Sequence, residues 1–172
     1  MKVFGLAGSS NSGKTTLMVG LLAAIVARGV RVSTMKHTHH AFDVDKPGKD
    51  SWRHREAGAS EVMIASSGRW ALLHENRDEP EPPIADLIAR MTPVDLLLIE
   101  GFKAYAHDKL EVYRPSLGRE PLWPGIPSIV AIASDEALPG VTLPVLDLGN
   151  HEAIAAFILR HTGILSHTGL IP

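Results

Sequence analysis

The segment Gly8–Leu17, GSSNSGKTTL, directly follows the apolar run KVFGLA, and it constrains the fold more than any other feature of the chain. Gly8, Gly13, Lys14 and Thr15 satisfy the pattern G-x-x-x-x-G-K-[ST], whose chemistry requires a strand that turns through a loop into a helix. The flanks meet that requirement. KVFGLA is short, apolar and partly β-branched or aromatic, so it reads as a buried strand. From Lys14 to Arg28, Leu17, Leu21, Leu22, Ile25 and Val26 recur at helical spacing, and Gly29 is placed to stop the helix. Val30–Met35 (VRVSTM) reads as a second strand, so the chain opens with a βαβ unit and therefore a parallel sheet.

The residue types of the loop predict its ligand. Backbone N–H groups of Asn11, Ser12, Gly13, Lys14, Thr15 and Thr16 would converge on phosphate at the positive end of the helix. Glycine at 8 and 13 allows the tight turn and the close approach. Lys14 would reach the outer phosphates, the Thr15 hydroxyl would complete a Mg²⁺ shell and Thr16 would touch the innermost phosphate. The Mg²⁺ also needs a carboxylate near the end of a neighbouring strand. Glu100, closing VDLLLIE and followed by Gly101, meets that need. Asp95 opens the same strand and is the weaker candidate.

Beyond Lys36 the regular pattern stops. HTHHAFDVDKPGKDSWRHREAGA is polar and histidine-rich, with Pro47 and Gly48 breaking its first half. A short helix follows, with Asp50-Ser51 as its cap and Gly58 as its end. EVMIASS and RWALLHE form a hairpin, Ile84–Arg90 a short helix and Val94–Glu100 a strand buried on both faces. KLEVYRP, SIVAIAS and LPVLDL add strands, and His151–His161 closes the chain as a helix. The expected fold is an α/β, P-loop NTPase-like three-layer arrangement with a mostly parallel central sheet and an extra β-hairpin. It forms a single nucleotide-binding domain over 1–165, with 166–172 a frayed tail.

Composition narrows the function class. A formal net charge of −2 gives no basic field for nucleic acid or a membrane surface. No run approaches the roughly 20 apolar residues of a bilayer span, and the N-terminal apolar run is strand-length without a cleavage pattern. The absence of cysteine removes disulfides and thiolate sites and fits a reducing, cytoplasmic setting.

The central polar segment reads as a switch or substrate loop, with a mobile surface loop as the alternative. Asp43 and Asp45 could support Mg²⁺ through water, while Lys49, Arg53 and Arg55 could meet phosphate or a partner's carboxylates. His37, His39 and His40 lack a fourth ligand for zinc, so a solvated or phosphate-facing cluster is preferred. Asp135, after the strand AIAS, resembles the aspartate of a degenerate N/T-K-x-D guanine motif whose lysine is missing; ordinary turn chemistry is the alternative. It leans the reading toward GTP. The chain contains no glutamine to position water, so hydrolysis would be slow and partner-stimulated.

Three segments in order, GSSNSGKTTL, KHTHHAFDVDKPGKDSWRHREAGA and DLLLIEGFK, resemble the molybdopterin-guanine dinucleotide biosynthesis protein B (MobB) family over most of the chain. The central one is the specific part, because phosphate loops serve many functions. The resemblance implies a GTP- and Mg²⁺-binding adapter in molybdenum cofactor maturation, at most a weak GTPase. It further implies that the adapter acts with the guanylyltransferase that joins GMP to molybdopterin, and with other cofactor-maturation proteins. It also implies a homodimer, with Glu61–Glu75 placed for sheet extension between subunits. The rival readings are a small-molecule kinase, its acceptor held by Arg53, Arg55 or Lys103, and a metal or molybdate carrier built on the histidine loop.

Overall fold

The computed structural model describes residues 1–38, 42–102 and 105–165 of the chain. His39, His40, Lys103 and the tail 166–172 therefore lie outside the described residues. The fold is the expected α/β arrangement, divided into two compact units: Met1–Thr38 with the chain from Pro93 on, and His39–Thr92 between them.

The first unit is built on a six-stranded sheet. Its strands are β1 (Lys2–Ala7), β2 (Val32–Lys36), β5 (Leu96–Glu100), β6 (Lys109–Tyr113), β7 (Ile129–Ser134) and β8 (Val145–Asp147), in the order β2-β5-β1-β6-β7-β8. Every pairing in it is parallel. Parallel strands must return by crossovers, so their carboxyl ends lie together and the loops leaving them gather at one end. β2 begins two residues later than its sequence pattern suggests and runs on to Lys36. Its register with β5 pairs Val32 with Leu96 and Lys36 with Glu100. The Asp95 carboxylate accepts from the Arg31 N–H at 2.8 Å and from its guanidinium at 3.1 Å, which fixes that start. Asp95 is thus spoken for at the end of β5 away from Glu100.

Alternation along the strands decides which residues meet the helices. Phe4, Leu6, Leu96, Leu98, Leu110, Val112, Ala131 and Ala133 face α1 (Lys14–Val26) and α4 (His151–His161), whose Leu17, Leu21, Ile25, Ile154 and Ile158 complete the core. Each such aliphatic side chain contributes about 1.5–3 kcal/mol by burial. Gly29 ends α1 at φ +76°, as its place in the sequence suggests, and the Asn150 side chain caps α4 by accepting from Ala153 N–H at 3.0 Å.

The opposite face of β6 carries Lys109 and Glu111, both buried. Their charges are met rather than solvated: Lys109 donates to the Tyr105 carbonyl and the Ser128 hydroxyl, and Glu111 accepts from the N–H groups of Leu122 and Trp123. A Cβ on Gly5 would stand 2.6 Å from His107 Nε2, so glycine makes room for that ring beside Lys109. Burial, with Lys109 nearby, pushes the His107 pKa down to about 4.

The second unit holds α2 (Asp50–Glu56), the antiparallel pair β3 (Glu61–Ala65) and β4 (Trp70–His74), and α3 (Ile84–Ala89). The hairpin is where the sequence places it. The cap of α2 is not: Lys49 holds the N-cap position without a side-chain cap, Asp50 is the first helical residue, and the Ser51 hydroxyl donates to Asp45 at 2.8 Å instead.

Candidate nucleotide-binding site

The loop between β1 and α1 has the backbone its glycines allow. Gly8 lies at φ +144°, Asn11 at +64° and Gly13 at +99°. A Cβ on Gly8 would come within 2.5 Å of the Val112 carbonyl, so a side chain there is excluded twice, by conformation and by space. Gly13 occupies the N-cap of α1, and among the described residues no side chain caps that helix and no acidic residue enters its first turn. The first-turn N–H groups of any helix lack intrahelical carbonyls, so the amides around Lys14, Thr15 and Thr16 form an electropositive end suited to an anion.

Lys14 folds over this loop, its ammonium donating to the carbonyls of Ser9 at 2.7 Å and Gly8 at 3.2 Å. It is held at the loop's own centre. The Thr15 hydroxyl donates to Glu100 Oε1 at 3.4 Å. Glu100 is 9% exposed and ion-paired with Lys36 at 3.6 Å. Beyond it the chain turns sharply through Gly101 at φ +97° and Phe102 at φ +48°. A Cβ on Gly101 would meet His37 Cβ at 3.1 Å, and the His37 ring stacks on Phe102 with centroids 4.3 Å apart. His37 is therefore packed against the end of β5, with its N–H donating to the Glu100 carbonyl at 2.9 Å.

Asp135 is placed at the same end of the sheet, immediately after β7. It accepts from Arg114 Nη1 at 2.6 Å, while Arg114 Nε donates to the Ser12 carbonyl at 3.0 Å. Sequence reasoning missed Arg114. Its only local signal is its position, one residue past the end of β6 in VYRP. Lys36 was likewise missed because its partner Glu100 lies on a different strand.

The remaining expected residues fall in the second unit and form a cluster of their own. Arg55 donates to Glu75 at 3.0 Å and Asp43 at 2.9 Å and lies 3.4 Å from Asp45. Hydrogen bonds donated to Glu75 and Asp43 hold the guanidinium firmly protonated, and the Asp43 carboxyl sits below its usual range through bonds from the Asp45 N–H and Arg55. Asp45 also accepts from Ser51. Arg55 is thus engaged by Asp43 and Glu75, and Asp45 by Ser51, within this unit, and no metal-binding group of three His, Cys, Asp or Glu exists among the described residues. Lys49 and Arg53 are exposed. His40 lies outside the described residues.

The oxygen donors of Thr15 and Glu100 fit a hard divalent cation. Mg²⁺ takes few protein ligands and fills its octahedron with water and phosphate oxygens, so a hydroxyl and one carboxylate beside a phosphate loop suffice.

The profile of the family described as "MobB: Molybdopterin guanine dinucleotide synthesis protein B" matches residues 3–135. The molybdopterin-guanine dinucleotide biosynthesis adapter protein of Escherichia coli (strain K12) is 41% identical over 161 residues, covering 92% of this chain and 91% of its own. The adapter protein of the same description from Haemophilus influenzae is 40% identical over 159 residues, covering 91% and 86%. Among solved structures, a MobB protein homolog from Bacillus stearothermophilus superposes with a TM-score of 0.69 at 26% identity, over 95% of this chain and 99% of that one. With a family profile spanning most of its length and relatives at this identity, the chain belongs to the molybdopterin guanine dinucleotide synthesis protein B family.

Proposed function

We infer that the chain is a GTP-binding adapter in molybdenum cofactor maturation, assisting the guanylyltransferase that attaches GMP to molybdopterin. The observation that carries this reading is the uncapped amino end of α1, with Lys14 curled over the loop and Thr15 against Glu100. On binding, the phosphates take the loop's N–H groups, and the Lys14 ammonium exchanges its two carbonyl acceptors for phosphate oxygens. Thr15 and Glu100 hold the Mg²⁺, which supplies charge neutralisation on the outer phosphates. Asp135 accepts from the N1–H and the exocyclic amine of guanine.

Adapter rather than fast enzyme follows from what surrounds this loop. The chain has no glutamine, and Glu100 is already shared by Thr15 and Lys36. Hydrolysis is accordingly slow, and a partner supplies the rest of the catalytic set. The relatives named as adapters support the same role.

The homodimer rests on the hairpin. Register places Met63 opposite Leu72 and Ala65 opposite Trp70, so one face presents Met63, Leu72 and Trp70, all exposed. Two strands alone are marginal in water, and among the described residues no third strand joins the pair, so this exposed apolar patch suits a second copy.

The experiment is reconstitution with a purified guanylyltransferase, molybdopterin and GTP. The chain raises the yield of guanine dinucleotide cofactor, and Lys14→Ala, folded but unable to hold phosphate, does not. An equal gain from both proteins overturns the nucleotide-dependent role.

A further inference from the structure

We propose that Arg114 is a positioning residue for base recognition, which orients Asp135 and ties it to the phosphate loop so that base and phosphates are bound as one unit. The proposal rests on the reading of Asp135 given above. It supplies what the guanine motif lacks, a cation beside the aspartate, from a neighbouring strand.

The geometry comes from the sheet. β6 and β7 are parallel neighbours, with Tyr113 opposite Ser134. The next residue on each strand, Arg114 and Asp135, therefore emerges side by side where the strands stop. The guanidinium is fixed at two of its edges. Nη1 donates to Asp135 Oδ2 at 2.6 Å, and Nε donates to the Ser12 carbonyl at 3.0 Å. Its remaining nitrogen, Nη2, lies 3.6 Å from where a Cβ on Gly13, the N-cap of α1, would stand. A planar fork can hold two acceptors in fixed relation, which a single ammonium cannot do as rigidly.

The pair's surroundings argue against a purely structural role. Arg114 and Asp135 are 38% and 33% exposed, and ion pairs this open add little to fold stability. What the pair does instead is aim. Ser12, whose carbonyl it holds, is completely buried, and among the described residues its hydroxyl has no partner; the Ser12 N–H makes only a long 3.4 Å contact to the Ser9 carbonyl. The loop backbone at this point is thus set largely by Arg114. On the other side, the Ser134 hydroxyl accepts from the Glu136 N–H at 3.2 Å and shapes the turn that carries Asp135. One oxygen of Asp135 is occupied end-on by Arg114, which turns the carboxylate without consuming its acceptor capacity. A carboxylate so held can accept both the N1–H and the amine of guanine, whereas adenine offers no N1–H to it.

The test is calorimetric titration of the folded full-length chain with GTP and ATP, each with Mg²⁺, for wild type, Arg114→Gln and Arg114→Lys. In parallel, Asp135→Asn is titrated with GTP and with xanthosine triphosphate, whose C2 carbonyl complements an amide in place of a carboxylate. Arg114→Gln is expected to lower the ratio of GTP to ATP affinity about tenfold, the scale of one charge-assisted hydrogen bond. Arg114→Lys recovers part of that ratio, and Asp135→Asn prefers the xanthine nucleotide. If Asp135→Asn switches preference while Arg114→Gln weakens GTP and ATP equally, Arg114 serves the loop alone and the proposal falls, with the base reading intact. A higher GTP affinity in Arg114→Gln also overturns it, making the pair a latch. If Asp135→Asn keeps its GTP preference, Asp135 is not the base reader and both readings fall together.

Discussion

The Thr15 hydroxyl and the Glu100 carboxylate, 85 positions apart in the chain, meet at 3.4 Å because β1 and β5 are parallel neighbours with Leu6 opposite Glu100. Glu100 closes β5, and the loop leaving the carboxyl end of β1 brings Thr15, in the first turn of α1, to the same end of the sheet. Lys36 arrives there by the same rule, through the pairing of β2 with β5. If this pair holds the metal, Glu100→Gln keeps the fold and loses the cation's charged ligand. The expected result is a loss of about tenfold or more in the Mg²⁺-dependent part of GTP affinity, with little change in binding measured in EDTA. An unchanged Mg²⁺ titration removes Glu100 from the site.

The loop's shape yields a stability prediction. Gly8 combines φ +144° with a Val112 carbonyl 2.5 Å from any added Cβ. Gly8→Ala must therefore strain the backbone and push β1 from β6, lowering unfolding free energy by roughly 2–5 kcal/mol. Urea denaturation followed by circular dichroism reads this directly. A midpoint equal to wild type would mean the loop relaxes freely, contrary to the packing described.

These two features differ in how readable they are in the sequence. The phosphate loop is a local object: its strand, glycines and helix are contiguous, so pattern and chemistry agree without knowledge of the fold. Glu100 was legible because strand ends in a parallel sheet share one end. Arg114 was not. Its partners are Ser12 and Asp135, and neither contact can be inferred until β6 is known to lie between β1 and β7. The ion pairs of Arg55 were unreadable for the same reason, since Glu75 approaches it from the end of β4 only after the hairpin forms. The cap of α2 failed through competition: Ser51 spends its hydroxyl on Asp45, leaving Lys49 at the N-cap.

His107 gives a pH dependence whose sign is fixed. Its folded pKa of about 4 lies below the unfolded value near 6.5 because burial and Lys109 disfavour the charged ring. Between those values the unfolded chain binds the extra proton, so stability is full above about pH 6.5 and declines as pH falls toward 4. Melting temperature should drop between pH 7 and pH 5 by more in the wild type than in His107→Leu, which keeps the packing against Gly5 and removes the titration. Parallel pH curves for the two proteins would show that His107 is not the group responsible.

The hairpin predicts the oligomeric state. Trp70 is 63% exposed on the face it shares with Met63 and Leu72. A charge there should oppose burial against a second copy while leaving the β3–β4 pairing intact. Sedimentation is expected to give a dimer for the wild type and a monomer for Trp70→Glu. A dimer of undiminished affinity would place the subunit interface elsewhere.

Calorimetric titration of the wild-type chain with GTP and with ATP, each in excess Mg²⁺, asks whether this loop and its surroundings select a guanine nucleotide. GTP is expected to bind at least tenfold tighter than ATP, with Lys14→Ala losing both. Equal affinities, or a preference for ATP, would make Asp135 a turn residue and contradict the assignment of GTP.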